Sequence, residues 1–385
     1  MTVLHGRGVV DDKGPLASLM GVMDRFAGEE PENLPGTLCF IIDTAEEVGF
    51  GTAREYLDQH PDRIPDRSLV SDGYFPLVAG EKGLLWFDVE ITPTECSDEG
   101  GRSPTLVELR AGSAYNQVPD SAHARLRIGE ENHRRVREAF RRNHPSLTDR
   151  LREDYRDDGL LILEAEGESA HGAQPEDGKN ALEVLLTYLG KIDWEHQNVE
   201  LLFEKLQTML DEQGTYRYDG SWIDLDDTDP RYDTGTTLNL GKMQYDSETG
   251  KITLSFDARL MPDQEIDVTL TKLRGILMDW LPDPWETSVK PVNREEALSI
   301  NMENVLPTTA LEAYRAVKEE PEAQPVYMGG RTHATAIPNC FAFGLMQFEH
   351  AHSYNFHGPH ERVAWSELVE GAQIYYQTIR RLNGT

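Results

Sequence analysis

The chain has 385 residues and carries 68 acidic against 37 basic side chains, a formal charge of -31. This charge disfavours nucleic acid and anionic membranes as partners, because both would repel the protein. No apolar stretch approaches the roughly 20 residues of a membrane span, and the first residues lack the basic-then-apolar pattern of a signal peptide, so we expect a cytoplasmic protein.

Helical and strand patterns alternate over the first 91 residues. Pro15, followed by apolar residues at helical spacing, predicts an amphipathic helix. The run 37–43 (TLCFIID) predicts a buried strand with Cys39 as a small core residue, and the run 84–91 (LLWFDVEI) predicts another strand. This alternation indicates an α/β layer with a parallel component.

Strand patterns then dominate until about residue 293. We predict strands at 105–110, 123–128, 160–166, 236–242 and 252–260, helices near 131–142, 180–189 and 266–280, and a solvated loop at 219–233. The α/β pattern returns with a helix at 308–319, a strand at 341–346 and a terminal helix. The predicted apolar face of that helix consists of Trp365, Leu368, Val369, Ala372, Tyr376, Ile379 and Leu382. We therefore predict an α/β catalytic domain, residues 1–91 and 294–385, that is split by an inserted α+β lid domain, residues 92–293.

Four segments carry side chains that suit a divalent metal, which is held by carboxylates and imidazoles from loops and strand ends. Asp11 precedes the first helix, Glu46 and Glu47 follow the run 37–43, Asp72 lies in SDGYFP, and His357 lies in HGPHE. Taken singly, such residues are more often parts of solvated loops, turns or helix caps, or surface histidines. The residue types alone therefore leave both interpretations open.

The order and wording of the segments resemble metallopeptidase family M20, which includes aminoacylases, glutamate-type carboxypeptidases and dipeptidases. The similar segments are GRGVVDDKGP at 6–15, TAEEVGF at 44–50, SDGYFPLVAGEKG at 71–83, AYNQVPD at 114–120, GESAHGAQPEDGKNA at 167–181 and HGPHE at 357–361. Pro15 favours the PepV-type dipeptidases, which are related to carnosinases. The resemblance implies a split, three-layer zinc-peptidase domain with an inserted lid.

The resemblance also implies the metal chemistry. Two zinc ions are expected, with cobalt or manganese as alternatives, and the implied ligands are Asp11, Glu47, Asp72 and His357. Asp11 would bridge the ions next to a cis peptide to Asp12. Glu46 would act as the general base toward water that the ions have acidified.

Substrate roles follow from the same resemblance. His171 would donate to the developing oxyanion, while Asn116 and Arg259 would hold the C-terminal carboxylate of the substrate. Gly330 and Thr332 would line the pocket floor. The alternatives are a loop histidine, a turn asparagine and, for Arg259, a salt bridge within a strand. The pocket segment GGRTHAT (329–335) departs from the family's GGGTYxR, which predicts a different side-chain preference.

The family's first motif, His-x-Asp-x-Val-Pro, precedes the GRG segment and is absent from these 385 residues. We therefore expect an incomplete ligand set, at most one tightly held metal and impaired activity in this form, with a start codon assigned too far downstream as the preferred explanation. The predicted function is a monomeric, metal-dependent dipeptidase that acts on small peptides with a free C-terminal carboxylate. The alternatives are an N-acyl amino acid deacylase of the same family and a non-catalytic remnant that binds peptides; the long insertion and the presence of Glu46 weigh against them respectively.

Overall fold

A computed structural model describes residues 2–28, 36–46, 51–93, 104–194, 202–203, 205–206, 236–262, 264–280, 285–355 and 360–383. The chain divides into two units. The discontinuous unit runs up to Lys82 and resumes at Ala297, and the inserted unit runs from Gly83 to Glu296. The protein is thus a mixed α/β chain in which one unit interrupts the other, and the domain limits given from the sequence stay a prediction.

The elements follow one another along the chain as two series. The helices are α1 (Lys13–Ala27), α2 (Gly51–Gln59), α3 (Glu130–Asn143), α4 (Pro145–Thr148), α5 (Ala181–Leu189), α6 (Ile266–Trp280), α7 (Val305–Lys318), α8 (Ala351–Tyr354) and α9 (Trp365–Leu382). The strands are β1 (Val3–His5), β2 (Ser68–Val70), β3 (Gly73–Phe75), β4 (Val78–Glu81), β5 (Gly83–Pro93), β6 (Thr105–Ala111), β7 (Ser121–Arg127), β8 (Leu151–Tyr155), β9 (Leu160–Glu166), β10 (Thr237–Tyr245), β11 (Ile252–Leu260), β12 (Trp285–Glu295), β13 (Leu298–Ser299), β14 (Val326–Met328), β15 (Cys340–Ala342), β16 (Leu345–Gln347) and β17 (Arg362–Ala364).

The discontinuous unit contains short parallel strand pairs, as the sequence predicted. Strand β14 pairs with β4, β15 with β2 and β16 with β3, all in parallel, while β1 pairs with β17 in antiparallel fashion. Helix α9 packs against α1 and α7. Phe75 lies in the core that results, with its ring 5.0 Å from that of Phe343 and 5.9 Å from that of Tyr375.

The inserted unit is built on one eight-stranded sheet with the order β12-β5-β11-β10-β6-β7-β9-β8. All neighbouring strands in it are antiparallel. Helix α5 packs against β7 and β9, and Asn180 caps it by accepting a hydrogen bond from the backbone N–H of Leu182. Within the described ranges, no helix has the length and apolar character that crossing a bilayer requires.

Two expectations from the sequence are wrong. Residues 37–43 form no strand, and Cys39 is exposed. The run includes Ile42, which is 55% exposed. A strand needs a hydrogen-bonded neighbour, and no described strand pairs with this run. The predicted apolar face of the terminal helix is wrong in part. Trp365 and Val369 are exposed, whereas Leu368 is buried and Ala372, Tyr376, Ile379 and Leu382 pack partly buried against the core. The predicted loop at 219–233 lies outside the described residues.

Candidate active site

The loop between β1 and α1 carries Asp11, and a buried carboxylate holds it. Glu361 is 1% exposed and accepts backbone N–H groups from Gly8 at 2.7 Å, Val10 at 2.7 Å and Asp11 at 3.1 Å. The guanidinium of Arg7 lies 3.7 Å from the same carboxylate. Hydrogen bonds to an ionised acceptor are stronger than neutral ones, so Glu361 fixes the backbone from which the Asp11 side chain projects.

The peptide bond between Asp11 and Asp12 is cis, as the resemblance implied. The hydroxyl of Ser71 donates to Oδ2 of Asp12 at 3.2 Å. The other oxygen, Oδ1 of Asp12, is buried and has no hydrogen-bond partner among the described residues. A buried oxygen without a partner is costly, and a bound cation is one group that would satisfy it.

Two carboxylates near this loop, Asp12 and Asp72, have a raised pKa. Burial raises the pKa of Asp12 to about 8, and the charges of Asp11 and Glu46 contribute. Burial also raises the pKa of Asp72 well above its usual value, and the charges of Asp12, Asp11, Glu46 and Glu81 raise it further. We call Asp11, Asp12, Glu46 and Asp72 the carboxylate cluster. Its members destabilise each other when ionised, and a divalent cation would reverse that effect.

The donor types of the cluster fit a hard or borderline divalent metal, because all of them are carboxylate oxygens. In the part of the chain that the structure describes, however, no three His, Cys, Asp or Glu side chains converge on a point that could hold an ion. Glu47 and His357 lie outside that part. Of the four predicted ligands, Asp11 and Asp72 are therefore placed, and both belong to the carboxylate cluster.

Asp43 organises the loop that carries Glu46. Its carboxylate accepts hydrogen bonds from the backbone of Ala45 at 2.9 Å and from the hydroxyl of Thr52 at 2.5 Å. Nε2 of His333 lies 2.9 Å from Oδ2 of Asp43. These contacts tie the Glu46 loop to helix α2 on one side and to the segment 329–335 on the other.

The predicted pocket floor, residues 329–335, is held by a second buried carboxylate. Glu81 accepts hydrogen bonds from the backbone N–H of Thr332 at 2.8 Å and from its hydroxyl at 2.7 Å. Burial raises the pKa of Glu81 to about 7, although the bonds from Thr332 act in the opposite direction. Arg331 donates to the backbone oxygen of Lys82 at 3.0 Å. At Gly330, an added Cβ would lie 3.9 Å from Cγ of Met328, an ordinary van der Waals contact, so this position has room for a Cβ.

In the inserted unit, Asn116 and His171 lie on adjoining loops. The backbone N–H of Gly172 donates to the backbone oxygen of Asn116 at 2.8 Å, and Gln117 and His171 form an antiparallel β-bridge. The backbone N–H of Ala173 donates to Nδ1 of His171 at 3.1 Å. Because Nδ1 accepts a hydrogen bond, the neutral ring carries its proton on Nε2. His171 can therefore act as a hydrogen-bond donor through Nε2.

Arg259, on β11, forms a salt bridge with Asp257. A salt bridge within a strand is the alternative that the sequence left open beside a substrate contact. Its Nε donates to Oδ1 of Asp257 at 2.9 Å and its Nη2 donates to Oδ2 at 3.0 Å. Asp257 is completely buried and Arg259 is 5% exposed. The bridge involves two of the five guanidinium N–H groups. A signal for Asp257 was present in the sequence, since residues two apart in a strand share a face.

The site residues fall into two groups, one in each unit. The discontinuous unit contains Asp11, Glu46, Asp72, Gly330 and Thr332, and the inserted unit contains Asn116, His171 and Arg259. Sequence reasoning missed Asp43, Glu81 and Asp257. It included Glu361 only as part of the HGPHE segment. Glu81 and Glu361 hold site loops through partners that are distant in sequence, so no local pattern indicates them.

Comparison with known proteins gives the family and the fold. The model of Peptidase family M20/M25/M40 matches residues 2–381. A protein of Staphylococcus saprophyticus named "Putative dipeptidase" is 25% identical over 377 residues, which are 98% of this chain and 76% of that protein. Its counterpart of the same name in Staphylococcus epidermidis is 27% identical over 388 residues, with the same two coverages.

Solved structures that share the fold include the following two. Human carnosine dipeptidase 1 aligns with a TM-score of 0.52 at 15% identity, covering 100% of this chain and 74% of the human chain. An M20 family metallo-carboxypeptidase from Sulfolobus solfataricus aligns with a TM-score of 0.50 at 13% identity, covering 100% of this chain and 78% of that chain. At these identities the likeness concerns the fold alone.

Proposed function

The chain belongs to peptidase family M20/M25/M40, and on this premise we propose that it is a metal-dependent dipeptidase acting on short peptides with a free C-terminal carboxylate. The observation that carries the proposal is the carboxylate cluster, in which burial and mutual repulsion raise the pKa of Asp12 and Asp72. A protein rarely gathers partly buried carboxylates without a compensating charge. The staphylococcal relatives, both named as dipeptidases, favour this substrate class over N-acyl amino acids.

The metal of the proposed enzyme is zinc, two ions in the complete site, with cobalt or manganese as alternatives. Asp11, Glu47, Asp72 and His357 would hold it. When bound, such ions supply Lewis-acid polarisation of the carbonyl group and activation of water. Glu361 keeps Asp11 in place, because it binds the backbone on both sides of Val9.

Glu46 takes the proton from the attacking water as a general base. Its charge acts on both Asp12 and Asp72, which is expected of a carboxylate at the edge of the metal site. His171 donates its Nε2 proton to the oxygen that becomes negative in the tetrahedral intermediate. The hydrogen bond from Ala173 to Nδ1 supports this role, because it selects the tautomer that donates from Nε2.

The substrate is held by its C-terminal carboxylate, which accepts hydrogen bonds from Arg259 and Asn116. The guanidinium is planar, so a carboxylate can be gripped by two parallel bonds. Gly330 and Thr332 belong to the pocket floor, where the lack of a side chain at Gly330 suits a substrate side chain. The proposed protein acts as a cytoplasmic monomer on small peptides.

The proposal is tested by following amino acid release from Ala-Ala and from N-acetylalanine, before and after metal removal with a chelator and after zinc is restored. We expect hydrolysis of Ala-Ala that the chelator abolishes and zinc restores. Preferential hydrolysis of N-acetylalanine would instead support a deacylase. Any longer gene product that carries a His-x-Asp-x-Val-Pro segment is assayed beside the 385-residue chain, for which weaker hydrolysis is expected.

A further inference from the structure

Two buried polar side chains face each other across neighbouring strands of the inserted unit. Asn239 on β10 and Asp257 on β11 are partners in the antiparallel register, with exposures of 1% and 0%. Residues directly opposite each other in such a pair project from the same face of the sheet. Burying an amide and a carboxylate there is unfavourable unless both are hydrogen-bonded. The hydrogen-bond partners of Asn239 and Asp257 therefore indicate the role of the pair.

Asn239 holds the loop that presents Asn116. Its amide nitrogen donates to the backbone oxygen of Tyr115 at 2.8 Å and to that of Gln117 at 3.1 Å. These carbonyl groups flank Asn116 on both sides. The backbone of Asn116 is therefore fixed by a side chain from the sheet and is not free to follow the rest of the loop.

Asp257 holds the guanidinium of Arg259 and also limits the loop of His171. Besides the ion pair, Oδ2 of Asp257 lies 2.7 Å from the point where a Cβ on Gly172 would stand, and Cα of Asn116 lies 3.0 Å from that point. Only a glycine allows this close approach, and the backbone N–H of Gly172 then donates to the backbone oxygen of Asn116 at 2.8 Å. The carboxylate that binds Arg259 thus also lies beside Gly172, whose backbone is bonded to that of Asn116.

We propose that Asn239 and Asp257 are positioning residues that hold Asn116 and Arg259 ready for one shared anionic ligand, a carboxylate. The identification of that carboxylate as the C-terminus of a dipeptide rests on the proposed function. Preorganisation of this kind raises affinity because less conformational entropy is lost when the ligand binds. Neither residue touches the ligand itself; each acts through its neighbour.

The test measures binding of Ala-Ala and of its C-terminal amide by calorimetry, in a Glu46→Gln background that stops turnover. The variants Asp257→Asn and Asn239→Ala should each weaken Ala-Ala binding roughly 10- to 100-fold, the worth of one hydrogen bond to a charged group, and leave amide binding nearly unchanged. The matched control is Glu183→Gln, which breaks another ion pair of the same unit, with Arg150 at 3.0 Å, and should change neither affinity. If Asp257→Asn fails to fold, Asn239→Ala decides, because it leaves the ion pair intact.

The proposal is overturned if both variants keep the preference for the free carboxylate while Arg259→Ala loses it. If Arg259→Ala also keeps the preference, the substrate role of Arg259 fails instead. The positioning claim is then decided by hydrogen exchange at Nε of Arg259, measured by ¹⁵N NMR and assigned with Arg259→Lys. If the Nε proton of Arg259 exchanges slowly in the parent and fast in Asp257→Asn, the positioning claim is supported. If the exchange rate is unchanged, the claim is refuted.

Discussion

Replacing Glu361 by glutamine should destabilise the loop that carries Asp11. The carboxylate uses Oε1 for the N–H groups of Val10 and Asp11 and Oε2 for that of Gly8. Glutamine keeps one oxygen acceptor but turns the other position into an NH₂ group, which would face an N–H donor. One charge-assisted hydrogen bond is then lost and the remaining ones become neutral.

The magnitude follows from these contacts. A hydrogen bond to a charged group contributes about 1.5–3 kcal/mol, and leaving a buried donor unpaired adds a penalty of similar size. The ion pair with Arg7 contributes little, because Arg7 is mostly exposed. We expect Glu361→Gln to lower the free energy of unfolding by about 2–4 kcal/mol, since the glutamine loses one strong bond and weakens the others.

Urea unfolding followed by circular dichroism measures this change as a shift in midpoint at constant slope. Glu55→Gln is the control, because Glu55 is exposed on helix α2. Its carboxylate accepts a hydrogen bond from the side-chain amide of Gln59 at 2.9 Å. That variant should stay within about 0.5 kcal/mol of the parent. A similarly small change in Glu361→Gln would refute the claim that this carboxylate fixes the Asp11 loop.

Three further predictions concern the carboxylate cluster and, separately, the inserted unit. Glu46→Gln should keep the zinc content and lose on the order of 10²–10⁴ in rate, whereas Glu47→Gln should lose zinc; elemental analysis with the opposite result would exchange the two roles. Because the pKa of Asp12 rises from 3.8 to about 8 on folding, the folded, metal-free protein binds more protons than the unfolded chain between those pH values, and its stability should fall as the pH rises through that range. The urea midpoint of Asp12→Asn should fall less steeply with pH than that of the parent, and an equal dependence on pH would contradict this. Gly172→Ala should lower the free energy of unfolding by about 1–3 kcal/mol through overpacking, because its Cβ would lie 2.7 Å from Oδ2 of Asp257, whereas the Cβ of Gly129→Ala would meet nothing within 4 Å. Equal shifts of the melting temperature in the two variants would be evidence against the close approach.

Local sequence patterns were sufficient where burial and periodicity agree. Strand β11 and helix α6 match their predicted limits residue for residue, because their apolar residues repeat with the period of the element. Strand β12 was missed, since it alternates exposed and half-buried residues and contains Pro291, which is typical of a sheet edge and reads as a loop. The run 37–43 shows the opposite error: an apolar run predicts burial, but pairing depends on strands elsewhere in the chain.

The candidate site divides in the same way. The order of the motifs was sufficient to predict the cis peptide at Asp11. The role of Asp72 stays a prediction, although the charge of Asp11 acts on it. The residues that hold the site could not be predicted, because their partners are distant in sequence. Glu361 binds Gly8 across 353 positions, and Glu81 binds Thr332 across 251. No local pattern records such a contact, and only the folded chain shows it.

The central claim is that the carboxylate cluster is a metal site, and zinc titration of the metal-free protein by calorimetry tests it most directly. The account predicts saturable binding that Asp11→Asn and Asp72→Asn each weaken at least about tenfold, the usual effect of altering a metal's immediate surroundings, while Asp58→Asn, an exposed carboxylate on helix α2, leaves it unchanged. Binding that is absent, or that is equally strong in all three variants, would contradict the account.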